Sequence, residues 1–146
     1  MNTVLDIAAF ILSEKGAMST MELQKLCYYS QAWSLVWFDE PLFSEPFEAW
    51  AYGPVCSALF SFHRGKFHVS SIDGGESERV PENRRDAIRG VIEHYSKLSA
   101  QQLSDLTHYE DPWRHARGGL PSSIRSNEII SHASMKTYYA SLQQHG

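Results

Sequence analysis

Apolar residues recur along most of this chain at the three- and four-residue spacing of one helix face. The first such stretch contains Val4, Ile7, Ala8, Ile11 and Leu12. Either Asn2 or Thr3 can cap the start of this helix, and Gly16 can take the left-handed conformation that ends it. The pattern therefore predicts a first helix that packs one face against a core.

A second and longer helix follows, and it is the most apolar part of the chain. Ser19 and Glu22 have the spacing of a capping box, which marks its start. Beyond Gln31 nearly every residue as far as Phe38 is apolar, so the helix has no clear solvent-facing side. Such a helix is buried on most sides. We expect it to be the central element of the fold.

Prolines and glycines divide the next stretch into short pieces. Pro41 and Pro46 prevent the helix from continuing, and residues 47–52 can form a short extended segment. Gly53-Pro54 then predicts the start of another helix, because proline is favoured at the first helical position. Farther along, Asp73-Gly74-Gly75 is a turn signal between two β-prone segments, and it predicts a surface β-hairpin over residues 67–80.

Helical spacing returns in the second half of the chain. It predicts a helix from Glu82 to Lys97, in which Gly90 would permit a close approach of another helix. Ser99 and Gln102 form a second capping box, and Ser131 can cap a last helix. That last helix would turn Met135, Tyr138, Tyr139 and Leu142 inward. The prediction is a mainly α fold, in which residues 1–146 form a single compact domain of about six helices with one small peripheral β-hairpin.

Charge and cysteine content limit the classes of function. The net charge is −4 and the isoelectric point is about 5.9, which argues against nucleic acid as a partner. No apolar run approaches the roughly 20 residues needed to span a membrane, so no membrane association is expected. Cys27 and Cys56 are the two cysteines, and their helical positions indicate free buried thiols. Free thiols favour a cytoplasmic location.

The sequence contains few candidates for catalysis or for a cofactor. His108, Glu110 and His115 are spaced closely enough to raise the hypothesis of a metal-dependent enzyme. Pro112 interrupts the helix between the two histidines, so we favour a structural role in which a buried hydrogen bond of His108 fixes this corner against Trp113. No nucleophile elbow and no phosphate-binding loop is present. We therefore expect a protein that is not an enzyme and has no cofactor.

A set of short motifs occurs in a particular order along the chain. These are Leu23-Gln24-Lys25-Leu26 with Tyr28-Tyr29, Pro41-Leu42-Phe43, Glu48-Ala49-Trp50, Tyr52-Gly53-Pro54-Val55, Leu106-Thr107-His108 and Pro112-Trp113. In this order they resemble the Panacea antitoxin domain, also known as the SocA-like or GepA-like phage-associated family. The resemblance covers nearly the whole chain. It departs from the common pattern at Asp39-Glu40 and at Ala51.

The resemblance implies an antitoxin that neutralises a cognate protein toxin by direct contact, within a toxin–antitoxin or phage-defence system. One branch of the family implies an alternative, in which the protein is an adaptor that delivers its toxin to a cytoplasmic protease. The last predicted helix extends close to Gly146, which leaves little free tail for such an adaptor. A deep cleft in which ionisable groups converge would count against a pure binding role.

Large aromatic residues can serve either the core or a partner. We expect Trp33 and Trp113 to lie in the core, because Trp33 falls on the inner face of the second helix and Trp113 follows a proline-initiated turn. We expect Trp37, Phe38, Phe43, Phe47 and Trp50 to be available for partner contact, because the proline-rich connector is expected to reach the surface. For Lys25 we favour a position on the helix surface over contact with an acidic patch of a partner.

Overall fold

The computed structural model describes the backbone of residues 1–145 and the side chains of residues 1–143. Its helices are α1 (Val4–Lys15), α2 (Thr20–Phe38), α3 (Ser57–His63), α4 (Glu82–Tyr95), α5 (Ala100–Tyr109), α6 (Asp111–Arg117) and α7 (His132–His145). Its strands are β1 (Met18–Ser19), β2 (Phe47–Trp50), β3 (Gly53–Val55), β4 (His68–Val69) and β5 (Ile129–Ile130). The mainly α fold class is therefore confirmed.

Helix α2 lies at the centre of the molecule. It packs against α1, α4, α5 and α7, and it also contacts β3. Residues from Leu23 to Ala32 are all buried, and the apolar ones among them belong to one apolar cluster that extends from Val4 to Tyr139. The predicted central position of α2 is therefore confirmed. The stretch beyond Gln31 is less buried than its composition predicts, because Trp33, Val36 and Phe38 are half-buried and Trp37 is exposed. None of the described helices is long and apolar enough to cross a membrane.

Helix starts follow the capping signals closely. At α1, the Oγ1 of Thr3 accepts a hydrogen bond from the amide of Asp6 at 3.3 Å, and the Asp6 carboxylate accepts one from the amide of Thr3. The box at Ser99 is also reciprocal. At α2 the Oγ of Ser19 accepts from the amide of Glu22 at 3.1 Å, whereas the Glu22 carboxylate pairs with Lys15 instead of closing the box.

The prediction that a helix starts at Gly53-Pro54 is wrong. These residues form strand β3, which pairs antiparallel with β2 so that Trp50 lies opposite Gly53 and Glu48 lies opposite Val55. The backbone of Gly53 has a φ of 113°, which joins the tight turn after Trp50 to the strand. Helix α3 begins four residues after Gly53. The small β-hairpin of this fold is therefore β2–β3, and β5 extends it to three strands.

The prediction of a β-hairpin over residues 67–80 is also wrong. Strand β4 pairs with β1, the short strand that precedes α2, and not with the residues that follow it. Residues Ser77–Arg79 form a 3-10 turn, and the Oδ1 of Asp6 accepts a hydrogen bond from the amide of Glu76 at 2.9 Å. Contact with α1 thus overrides the local preference for a β-turn between two strands.

Two predictions of side-chain packing fail for a similar reason. Gly90 is exposed on α4, and a Cβ atom placed there would have no neighbour within 4 Å, so no other helix approaches it closely. Leu142 is exposed near the end of α7 instead of facing inward, whereas Met135 and Tyr139 are buried as expected. Spacing identifies a helix face, but it does not show how far along the helix the neighbouring elements extend.

Helix α2 also buries polar side chains that hold irregular backbone. Gln31 has no exposed surface, and its amide bonds two backbone groups of the connector that follows α2. Its Oε1 accepts from the amide of Leu42, and its Nε2 donates to the carbonyl of Phe43, both at 2.7 Å. The connector between α2 and β2 is therefore tied to the middle of the helix by one side chain.

A buried aromatic cluster joins α2 to α4, α5 and α7. Tyr29 and Tyr139 each donate a hydrogen bond to the Oε1 of Glu110 at 2.7 Å, and the hydroxyl of Tyr28 lies 3.1 Å from that of Tyr139. The ring of Tyr29 stacks on that of Tyr95 at 3.8 Å between centroids. Tyr28 and Tyr29 of the sequence motif thus serve this cluster. Burial raises the pKa of Glu110 to about 7, and the two tyrosine hydroxyls partly offset this effect.

Replacement of Gln31 by alanine is expected to destabilise the fold by about 3 kcal/mol, because two buried backbone groups lose their partner. Chemical denaturation measures this loss as a lower free energy of unfolding. The matched control is Gln101→Ala on the exposed face of α5, which should change the free energy by no more than about 0.5 kcal/mol. Equal effects of the two substitutions would contradict the role given to Gln31.

The Glu110→Gln variant tests the protonation of the buried carboxyl. Because the pKa of Glu110 is raised in the folded state, its favourable contribution is complete below about pH 4.5 and is lost as the pH rises through 7. The shift corresponds to about 3 kcal/mol. We expect the free energy of unfolding of the variant, relative to the unaltered protein, to increase by roughly that amount between pH 4.5 and 8. A pH-independent difference would show that Glu110 titrates normally.

Candidate functional site

The structure contains a cleft of about 820 Å³ beside the first half of α2. Its walls come from α2, the β2–β3 hairpin, α3 and the segment before β5. The lining residues are Thr20, Met21, Gln24, Lys25, Glu48, Trp50, Ala51, Tyr52, Val55, Phe60, His63, Ser123, Arg125, Ser126 and Asn127. This volume lies within the range of protein binding pockets.

Several of the ordered sequence motifs meet at this cleft. Gln24 and Lys25 come from α2, Glu48 and Trp50 from β2, and Tyr52 from the turn of the hairpin. The two α2 positions and the three hairpin positions are separated by more than 20 residues in the sequence. The fold therefore brings residues of three motifs, namely Leu-Gln-Lys-Leu, Glu-Ala-Trp and Tyr-Gly-Pro-Val, to one concave surface.

Lys25 is the most unusual residue of the cleft. Its side chain is 1% exposed, and its Nζ donates a hydrogen bond to the carbonyl of Pro54 at 3.2 Å. Burial lowers the pKa of Lys25 to about 7. The prediction that Lys25 lies on the helix surface is therefore wrong. The hairpin covers this side of α2, and the sequence of α2 contains no signal of that cover.

Gly53 makes room for the lysine. A Cβ atom at this position would lie 2.7 Å from the Cε of Lys25 and 2.8 Å from the Oγ1 of Thr107. Both distances are shorter than van der Waals contact allows. Thr107 is itself held, because its hydroxyl donates to the carbonyl of Ser104 at 2.6 Å. The Tyr-Gly-Pro and Thr-His motifs thus meet at Gly53, beside the buried lysine.

Gln24 builds the neighbouring wall. Its Oε1 accepts from the amide of Cys56 at 2.9 Å, and its Nε2 lies 3.2 Å from the carbonyl of Cys56 and 3.0 Å from the Nε2 of His63. His63 is buried, and this burial lowers the pKa of its imidazole. Gln24 therefore fixes the start and the end of α3 against α2.

The second group of motifs supports the hairpin from behind. Trp113 is buried, and its Nε1 donates to the carbonyl of Trp50 at 2.7 Å. A guanidinium nitrogen of Arg117 donates to the carbonyl of Ala49 at 2.8 Å. Pro112, also buried, occupies the first turn of α6 and so aims Trp113 at the hairpin. These bonds hold the rear of the hairpin while its front faces the cleft.

His108 belongs to this support and not to a metal site. Its ring stacks on Trp113 with 4.1 Å between centroids, and burial lowers the pKa of its imidazole. His115 is exposed on α6. No group of three histidine, cysteine or acidic residues among the described side chains could hold a metal ion. The hypothesis of a metal centre at these histidines therefore has no support in the geometry.

The aromatic residues predicted to contact a partner occupy different environments. Phe43 and Phe47 are 0% and 2% exposed, so they belong to the core and have no surface to offer. Gln31 bonds the backbone of Leu42 and Phe43 and so holds Phe43 against α2, whereas Phe47 lies on β2 with its ring edge-to-face on the buried ring of Tyr28. Trp50 is half-buried at the cleft. Trp37 is exposed at the other end of α2, and Phe38 lies beneath the guanidinium of Arg84 at 3.7 Å.

The two ends of α2 therefore present two separate surfaces. Lys25 and Trp37 are twelve residues apart, which is about 18 Å along a helix. Trp33 lies between them and is half-buried, with its Nε1 donating to the hydroxyl of Tyr95 at 2.8 Å. Of the aromatic residues predicted for partner contact, Trp50 is the one that lines the cleft.

Several cleft residues were missed by sequence reasoning. Met21, Phe60 and His63 have the spacing of ordinary helix faces, and residues 123–127 carry no motif. One available signal was the pair Gln24 and Gln31, because polar residues seven positions apart lie on the same side of a helix. Polar side chains on an apolar helix must find partners, and here both bond backbone groups of neighbouring segments.

The Gly53→Ala variant tests how tightly the cleft floor is built. We expect a loss of about 2–4 kcal/mol, because the alanine must adopt a positive φ and displace Lys25 and Thr107. Thermal and chemical denaturation measure the loss. Gly90→Ala on α4 is the matched control, and it should stabilise the protein by up to about 1 kcal/mol. A neutral effect of the Gly53 substitution would contradict the described packing.

Comparison with known proteins agrees with the geometry. A family model described as "Antitoxin SocA-like, Panacea domain" matches residues 23–114, which is 92 of the 146 residues. The matched region begins just before Gln24 and ends just after Trp113, so it contains the motifs that form and support the hairpin side of the cleft. Neither the curated proteins nor the solved structures contain a match to this chain. The chain belongs to the antitoxin SocA-like family defined by the Panacea domain.

Proposed function

We propose that this protein is an antitoxin that neutralises a cognate protein toxin by direct contact at the cleft. The observation that carries the proposal is the convergence of residues from three of the family's motifs on one concave surface. An antitoxin-type role is what the family match supports. The identity of the partner as a toxin and the use of the cleft are parts of the proposal.

The composition of the cleft suits a protein partner. Its walls are largely apolar and aromatic, with Met21, Trp50, Val55 and Phe60 along them. Tyr52 stands at its edge with 70% of its surface exposed. Aromatic residues with one exposed side are frequent in protein interfaces. A stable interface buries about 800 Å² on each partner, so the contact would extend from the cleft onto the neighbouring surface.

The ionisable groups of the cleft support binding more than catalysis. Lys25 bonds the carbonyl of Pro54, His63 bonds Gln24, and the Oε1 of Glu48 accepts from the Nε1 of Trp50 at 2.8 Å. Among the described side chains, no hydrogen bond joins Lys25, His63 and Glu48 to one another. Covalent catalysis usually relies on such a bonded pair of nucleophile and base. The proposal therefore gives these groups roles in shape and recognition.

The proposal includes a cytoplasmic location. Cys27 and Cys56 are both buried free thiols, which is consistent with a reducing compartment. An antitoxin must also share a compartment with its toxin before the toxin acts.

Co-expression tests the proposed function directly. The product of the neighbouring open reading frame should arrest growth when expressed alone, and co-expression of this protein should restore growth. Both chains should also co-purify at a fixed stoichiometry. Lack of toxicity, or rescue without a complex, would contradict neutralisation by contact. A shorter half-life of the toxin in the presence of this protein would favour the protease adaptor instead.

Tyr52→Ala should weaken the complex by about tenfold or more, because an exposed tyrosine at the edge of the cleft is expected to contact the toxin. Isothermal titration with the purified toxin measures this change. Tyr109→Ala is the matched control, since Tyr109 is 79% exposed and does not line the cleft. Both variants should unfold at the same temperature as the unaltered protein. Equal affinities of the two variants would exclude the cleft edge from the contact.

A further inference from the structure

We propose that the cleft binds an acidic side chain of the partner at Lys25, with an apolar residue of the same segment packed against the aromatic wall. This inference rests on the proposed function and makes it more specific. It identifies the chemistry of the segment that enters the cleft, namely an aspartate or glutamate next to a hydrophobic residue.

The distribution of charge over the protein favours an acidic group in the cleft. The chain carries a net charge of −4, yet two of the ionisable residues that line the cleft are the basic residues Lys25 and Arg125. Neither forms a salt bridge with a described acidic side chain, whereas seven other lysines and arginines do. Glu48 is the one acidic residue that lines the cleft, and its Oε1 is bonded to Trp50. Basic side chains therefore outnumber carboxylates in the cleft, although the whole protein is acidic.

The buried amine of Lys25 is incompletely hydrogen-bonded. An ammonium group has three donors. Within the described residues, the carbonyl of Pro54 is the single acceptor in hydrogen-bonding distance of the Lys25 Nζ. A buried charge is stable when it is paired and fully hydrogen-bonded. A carboxylate from a partner would supply both the opposite charge and the missing acceptors.

The groups around Lys25 favour a side-chain carboxylate over a free C-terminus. A terminal carboxylate is typically captured by a cluster of backbone N–H groups. The amide of Cys56, at the start of α3, already donates to the Oε1 of Gln24 at 2.9 Å. Lysine is a compact point charge that suits one oxygen of a side chain. The apolar wall formed by Met21, Trp50 and Phe60 would hold the hydrophobic neighbour of that acid.

Protonation gives this arrangement a measurable signature. Since burial lowers the pKa of Lys25 to about 7, a carboxylate must raise it again when it binds. Binding above pH 7 would therefore require proton uptake, and the affinity should fall as the pH rises from 7 to 9. The other charged and titratable groups near Lys25 are His63, Glu48 and Arg125 in the cleft and His108 on α5.

The decisive variant is Lys25→Met, which keeps an unbranched side chain of similar length and removes its charge and donors. At pH 6 we expect it to bind the co-expressed toxin at least about 30-fold more weakly than the unaltered protein. The decrease in affinity between pH 7 and pH 9 that results from deprotonation of Lys25 should be absent in this variant. Lys97→Met, at an exposed position outside the cleft, controls for the change in net charge and should bind normally.

Stability and specificity controls accompany this measurement. Thermal unfolding should show that Lys25→Met is folded, because removal of a buried amine that is costly to charge offsets the loss of its bond to the carbonyl of Pro54. If that variant does not fold, the proposal is decided by substitution of the toxin's aspartates and glutamates one at a time. One of them should then weaken binding about 30-fold, and amidation of the toxin's C-terminus should not. Undiminished binding by folded Lys25→Met, or by every acidic substitution, would overturn the proposal.

A small probe tests the site without the toxin. Titration with 3-phenylpropionate should shift the NMR signals of cleft residues such as Trp50 and Tyr52, and 3-phenylpropanamide should bind about tenfold more weakly or worse. Lys25→Met should bind the two probes equally. Equal binding of both probes to the unaltered protein, or shifts outside the cleft, would overturn the carboxylate site. Absence of a toxin complex together with a selective probe response would instead contradict the proposed function alone.

Discussion

The burial of polar side chains on α2 is the constraint on which the rest of this structure depends. Three of these side chains form hydrogen bonds with backbone groups of neighbouring segments. Gln24 bonds both backbone groups of Cys56, Lys25 bonds the carbonyl of Pro54, and Gln31 bonds Leu42 and Phe43. Each side chain satisfies groups that no regular ladder could reach. An unpartnered backbone group in this interior would be costly, so α2 and the segments beside it must fold together.

This dependence explains why one helix defines both the core and the cleft. The apolar residues of α2 join the surrounding helices, and its tyrosines meet Glu110 and Tyr139 in a bonded aromatic cluster. Its amide and amine groups meanwhile position the hairpin and α3 as walls. The cleft is therefore formed by rigid elements, and a rigid surface loses little entropy when a partner binds.

Lys25 connects stability with recognition. A lysine buried without a carboxylate is destabilising in the free protein, since its charged form loses the solvation that water provides. Gly53 and Thr107 shape the space that the amine occupies, and Pro54 offers a single acceptor. A complementary acid from outside would turn this unfavourable arrangement into a favourable one. Conformational cost within the free protein is frequently concentrated at functional sites.

Local sequence by itself determined most of the helices, the starts at Thr3, Ser19 and Ser99 and the mainly α class, because caps and spacing act over a few residues. The order of the short motifs indicated the family. Tertiary structure alone decided that Gly53-Pro54 pairs as a strand, that residues 67–80 form no hairpin and that Lys25 is buried. These outcomes depend on partners distant in sequence, such as Glu48, Met18 and Thr107. Contacts of that kind can override a local preference of about 1 kcal/mol, and local spacing does not encode them.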